Sequence, residues 1–152
     1  MRLTFLPIHD ISAFSFRVED DYHFLGHWRG TRKLSPGHLW YEVRNSTDTQ
    51  VALLDLDQSK DRAYWQDSVY PIAAEGPKLM EIQFIDVRSI YRSQKIGTAI
   101  ICKVAALYPE YQFIALSEQA DQFWESLGWT RIDRTDSMPG RPMCVSPMSK
   151  FE

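Results

Sequence analysis

One stretch constrains the fold more than any other. Residues 79–107 read as a strand, a polar turn and a helix. Leu79–Val87 alternates, with Met80, Ile82 and Phe84 on one face and Glu81, Gln83, Ile85 and Val87 on the other. Residues 88–97 form a polar turn with one glycine, Gly97. From Thr98 the apolar spacing becomes helical, through Ala99, Ile100, Cys102, Val104 and Leu107, and Pro109 closes it. A turn that opens into a helix leaves free N–H groups and the positive end of the helix dipole, which suits a phosphate.

This stretch resembles the GNAT superfamily of acyl-CoA-dependent N-acyltransferases. That family has a strand ending in Val, an Arg/Gln-x-x-Gly-x-Gly/Ala turn and a helix. Val87, Tyr91, Arg92, Gly97, Thr98 and Ala99 stand where such sequences have them, and Lys95 departs by replacing the first glycine. A register two residues on, Gln94-x-x-Gly97-x-Ala99, also fits the pattern. The first is preferred, because its strand-to-helix distance matches the family. In either register the amides of Gln94–Ala99 are expected to cradle a pyrophosphate. Lys95 adds a cation there and fits if its backbone keeps φ negative.

A second segment carries the same resemblance. After a short apolar strand, Gln112–Leu116, the run from Ala120 to Trp129 looks like the family's Ala-x-x-Phe-Tyr-x-x-x-Gly-Phe helix and glycine cap. Gly128 after Leu127 is a sound helix stop in itself. The resemblance implies an α/β (α+β) GNAT fold over residues 1–152 as a single domain. Its mixed central sheet has six to seven strands, with helices on both faces.

The remaining segments are compatible with that order. Arg2–Ile8 reads as the first strand and Asp20–Lys33 as a helix, while Ser12–Val18 is ambiguous. His38–Arg44 and Gln50–Leu56 read as a hairpin through Asn45–Asp48. A long connection, Asp57–Lys78, follows; connections of that length are often functional. Thr130–Arg134 and Met143–Met148 are the closing strands.

Composition bounds the function class. The chain is 44% hydrophobic and 24% charged, which is ordinary for a globular protein. No apolar run approaches a membrane span, and the N-terminus is too short for a signal peptide. Cys102 and Cys144 are expected as buried reduced thiols, which points to the cytoplasm. Net charge is −3 without a Lys/Arg cluster, which disfavours nucleic acid as the main partner.

The resemblance also implies site residues. Coenzyme A, arriving as acetyl-CoA, is expected to lie on Ile85, Asp86, Val87, Arg92, Ser93, Gln94, Lys95, Ile96, Gly97, Thr98 and Ala99, with Phe123 and Trp124 contributing. Arg88, Arg92 and Lys95 are available as cations for phosphate. Glu81, six residues before Val87 in a Glu-Ile-x-Phe-x-x-Val context, is expected as the general base, its pKa raised by aromatic surroundings such as Phe84 and Trp40. Trp124 stands where many members have the tyrosine that protonates the leaving thiolate. The acid is then Ser126, Tyr91, a tyrosine of the 57–78 connection, or water. This departure also motivates an alternative, a catalytically weak acyl-CoA-binding sensor.

Tyr22, Trp28, Trp40 and Trp65 are expected to line the acceptor pocket, with Glu42, Tyr64, Asp67 and Tyr70 nearby. Rings with carboxylates suit an amine cation, and core packing accounts for such rings equally well. The acceptor is then a small amine or a protein lysine or N-terminal amine. A toxin acylating aminoacyl-tRNA is a remoter reading. His23 and His27 are spaced i, i+4, but no third ligand follows by spacing and no metal is expected. A homodimer is possible by analogy with the family.

Overall fold

The strand, turn and helix anticipated over residues 79–107 are all present in a computed structural model of the chain, which describes residues 2–11 and 17–147. In order the elements are β1 (Thr4–Ile8), α1 (Leu25–Gly30), β2 (His38–Arg44), β3 (Gln50–Asp57), α2 (Arg62–Gln66), β4 (Lys78–Val87), a 3-10 turn (Ser89–Tyr91), α3 (Ile96–Leu107), β5 (Tyr111–Leu116), α4 (Asp121–Ser126), β6 (Thr130–Ile132) and β7 (Met143–Val145). One seven-stranded sheet runs β1-β2-β3-β4-β5-β7-β6. It is mixed: β4 pairs with β5 in parallel, from Lys78 opposite Tyr111 to Glu81 opposite Ile114, and β4 then continues to Val87. β1 pairs antiparallel with β2, and β7 antiparallel with both β5 and β6. The α/β fold class read from the sequence is the one found.

Contacts group the chain into two units, Met1–Leu56 with Phe84–Val104, and Asp57–Gln83 with Ala105–Glu152. The first has a core of Ile8, Ile11, Tyr22, Trp28, Trp40 and Leu53, with Phe24 and Phe84 packed on it. The second has a core of Trp65, Tyr70, Ile72, Leu79, Ile114, Met143 and Val145.

β3 lies between two neighbours, and all eight of its residues are buried. That explains the unbroken apolar run Val51–Leu54 in place of an alternation. Its three polar side chains are each satisfied. Gln50 donates to the Arg17 carbonyl and Glu42, Asp55 accepts from two histidines, and Asp57 accepts from the Ser59 amide and hydroxyl. β1, at the sheet edge, accommodates Pro7, which has no N–H to donate.

The Asp20–Lys33 helix is much shorter than the sequence suggests; only Leu25–Gly30 is helical. The amides of His23 and Phe24 donate to the Asp86 carboxylate at 3.0 and 2.8 Å. The Asp21 carbonyl meanwhile accepts from the Ser89 amide. Partners distant in sequence thus take the backbone groups that a longer helix would pair locally. α3 instead starts two residues early, because the Ala99 amide already donates to the Lys95 carbonyl. Residues 12–16, within the ambiguous Ser12–Val18 segment, and Met148 lie outside the described residues. Cys144 is buried, but Cys102 is exposed, because the buried stripe of α3 runs through Ile96, Ile100, Ile101 and Val104.

Asp86→Ala would leave the two amides and the Trp28 indole N–H without their shared acceptor. A loss of at least about 3 kcal/mol is expected in urea unfolding, from three donors at about 1–3 kcal/mol each with partial relaxation.

Candidate functional site

The end of β4 and the start of α3 form one candidate site, in the first unit. From Arg92 to Lys95 the side chains are exposed. Ser93 has φ 71° and Lys95 φ 59°, both in the left-handed region. The condition that Lys95 keep φ negative is therefore overturned. The turn into α3 takes the left-handed conformation at both positions without glycine. The cost is about 1–2 kcal/mol for each such residue.

The amides of Ile96, Gly97 and Thr98 open α3 and have no intrahelical acceptor. Ala99 does not belong with them, since its N–H closes the first helical bond. Arg92 folds back, its Nε donating to the Val87 carbonyl at 3.0 Å and its Nη2 lying 3.7 Å from Asp86. Arg88 is not available for an anion: it pairs with Asp21 at 2.8 Å and donates to the Gln50 carbonyl. Nor is the Asp86 carboxylate a ligand contact, because it is buried and engaged by His23, Phe24 and Trp28. Lys95 is the exposed cation at the helix mouth.

Glu81 centres a second cluster, in the other unit. It is 6% exposed. Burial pushes its carboxyl above the usual glutamate value, and Lys60 only partly offsets this. The raised pKa was expected, but the neighbours are different ones. Lys60 Nζ lies 3.4 Å from Glu81 Oε1 and 3.7 Å from Asp57 Oδ2. The ammonium also sits 5.4 Å from the ring centroids of both Tyr64 and Trp65. Burial pulls the Lys60 pKa down, but the two carboxylates outweigh it and hold it above the ordinary lysine value. Sequence reasoning missed Lys60 and Asp57; both lie at the start of the long connection, and nothing in their spacing marks them.

The four expected acceptor rings pack into the cores. Tyr22, Trp28, Trp40 and Trp65 are each at most 4% exposed. Tyr22 donates to Gln50, and burial pushes its phenol well above the usual tyrosine range. Trp28 donates to Asp86 at 2.8 Å and stacks edge-on against Trp40. Of the nearby aromatics only Tyr64 is well exposed, at 53%.

Trp124 is buried against Trp129 with centroids 4.6 Å apart, while Phe123 is half-buried. Ser126, a candidate acid, donates to the Phe123 carbonyl. His23 precedes α1, so it does not share a helix face with His27. Instead His27 Nε2 and His38 Nδ1 meet the two oxygens of buried Asp55 at 2.9 and 3.0 Å.

Solved structures share this architecture. A bacterial toxin aligns at a TM-score of 0.64 over 94% of this chain and 89% of its own, with 10% identity. The ribosomal-protein-S18-alanine N-acetyltransferase of Escherichia coli aligns at 0.58 over 97% and 95%, with 13% identity. An acyl-CoA N-acyltransferase of Klebsiella pneumoniae subsp. pneumoniae MGH 78578, so described provisionally, aligns at 0.57 over 97% and 98%, with 13% identity. The chain has the GNAT fold. It spans only 66% of an acetyltransferase from Thermus thermophilus. No family profile matches the sequence, and no curated protein matches it. Among the described residues, no helix is long and apolar enough to cross a membrane.

Within this GNAT fold the turn makes a testable demand on the backbone. Ser93→Gly and Lys95→Gly should each stabilise the protein by about 0.5–1 kcal/mol, the relieved left-handed strain less the added unfolded-state freedom. Destabilisation by either change, read from thermal unfolding, would mean that the side chain contributes more than its backbone costs.

Proposed function

We propose that this protein is an N-acetyltransferase that takes the acetyl group of acetyl-CoA and passes it to a primary amine by direct attack. The observation that carries the reading is the left-handed turn at Ser93 and Lys95, which runs directly into the N-terminus of α3 with exposed Lys95 next to its first residue. The N-acetyltransferase and acyl-CoA N-acyltransferase with the same fold support it.

The residues that would hold the pyrophosphate are Gln94–Thr98 through their amides, with Lys95 as the cation. Bound acetyl-CoA supplies the thioester. Glu81 takes a proton from the acceptor ammonium, which frees the nitrogen lone pair. The C–N bond forms as the C–S bond breaks; the nitrogen gives up its second proton to solvent, and the leaving thiolate takes a proton up. With Trp124 buried, α4 offers no tyrosine acid, so that proton comes from water or from the exposed Tyr64. The acceptor is a small amine or a protein amine, and the reaction belongs in the cytoplasm. The buried Trp124 also favours a second reading, an acyl-CoA sensor that binds without turnover.

A thermal-shift titration with acetyl-CoA and coenzyme A, followed by thiol release over a panel of amines, separates the two. Ligand at 100 times its dissociation constant stabilises by about 2.7 kcal/mol. Amine-dependent release identifies the enzyme, binding without release identifies the sensor, and no binding rejects both.

Two substitutions test the residues. Gly97→Glu should abolish coenzyme A binding by placing a side chain and a negative charge at the helix mouth; retained affinity would move the phosphate site elsewhere. Glu81→Gln should keep coenzyme A binding and lower turnover by ~10²-fold. Since a base works deprotonated, the wild-type rate should rise with pH through a Glu81 pKa above the ordinary glutamate value, and the variant should lose that limb. A pH profile that is the same in both proteins would remove Glu81 from the mechanism.

A further inference from the structure

The strongest feature not yet assigned a role is the surrounding of Lys60. Two carboxylates, both buried, face a single ammonium, and two aromatic rings flank it. That combination of negative charge and ring faces is what a cation on an alkyl stem requires. The occupant belongs to the chain itself, and it is held loosely. Its contacts of 3.4 and 3.7 Å are long beside the 2.7–2.9 Å typical of a charged N–H···O pair. Lys60 precedes α2 and its N-cap Asp61, so helical hydrogen bonding does not fix it. Its side chain is 29% exposed, and Tyr64 leaves one wall open to solvent.

We propose that Glu81, Asp57, Tyr64 and Trp65 form the subsite for the acceptor's primary alkylammonium, and that Lys60 is a built-in occupant which the acceptor displaces. This rests on the N-acetyltransferase reading, since it sets the acceptor nitrogen against the general base. It also narrows the substrate class to primary amines on an unbranched alkyl stem, like the lysine that now fills the place. The effect of Lys60 is to set a threshold: the apparent acceptor affinity is the intrinsic one reduced by the fraction of molecules whose cage is open.

The test needs no cofactor. Lys60→Ala should be stabilised by n-butylammonium chloride at concentrations ~10-fold lower than those which shift the wild-type protein, as when an occupant that closes nine cages in ten is removed. The neutral 1-butanol and sodium chloride at equal ionic strength should have no such effect. Lys60→Gln ends near the lysine Cε position, keeps the stem packing and vacates only the ammonium position; methylammonium is its probe and should act likewise. If Lys60→Ala does not fold alone, recovery of folding by n-butylammonium supports the proposal equally. Variants that respond no better than wild type, or a misfolded variant that the cation does not rescue, overturn it. Acetyl-CoA binding and thiol release by the wild-type protein report separately on the parent reading, so either can fail without the other.

Discussion

The carboxylate of Asp86 is the point on which the first unit depends. A charge buried to 2% exposure is tolerable only when its lone pairs are met, and here two backbone amides, an indole N–H and a more distant guanidinium meet them. Those donors come from residues 23–28 and from Arg92, so one side chain near the end of β4 fixes both the segment before α1 and the turn that leaves the strand. Trp28, held by the same group, carries the aromatic cluster of Trp40, His27 and Phe84. The turn that leads into α3 is therefore anchored through a buried group rather than through its own exposed side chains.

In the second unit a different balance governs Glu81. Burial favours its protonated form, while Lys60 favours its charged one, and burial wins. Asp57 holds Lys60 charged through the same contacts. A base suited to neutral pH needs just such a compromise, because a fully paired carboxylate is too weak a base and a wholly unpaired buried one would stay protonated.

The parts of the fold that were legible in the sequence are those set by local pattern. The alternation of β4, the β2–β3 hairpin and the Leu127–Gly128 stop depend on neighbours within a few residues, and the structure reproduces them, with Gly128 at φ 79°. What was not legible depends on partners distant in sequence. The Asp20–Lys33 helix failed because Asp86 and Ser89 bind its first residues. Tyr22, Trp28, Trp40 and Trp65 read as pocket or core, and only packing could decide for core. Lys60 and Asp57 gave no signal, since their meaning arises only opposite Glu81. Positions 93 and 95 are the instructive case. Their residue types argue for ordinary backbone, yet the turn imposes the left-handed conformation on both.

The division of the chain has a consequence for how the molecule comes into being. Neither unit is a continuous piece of sequence: the first lacks its second part until residues 84–104 are made, and the second is interrupted by that same stretch. The parallel pairing of Lys78 with Tyr111 must wait for the intervening turn and helix, and β5 then needs β7, at Met143–Val145, along its other side. Closure of such distant pairs carries its entropy cost before any contact repays it, so folding is expected to be slow and late during synthesis. It also means that no cut of the polypeptide yields one unit whole, and the halves would have to be inherited, or exchanged in evolution, together.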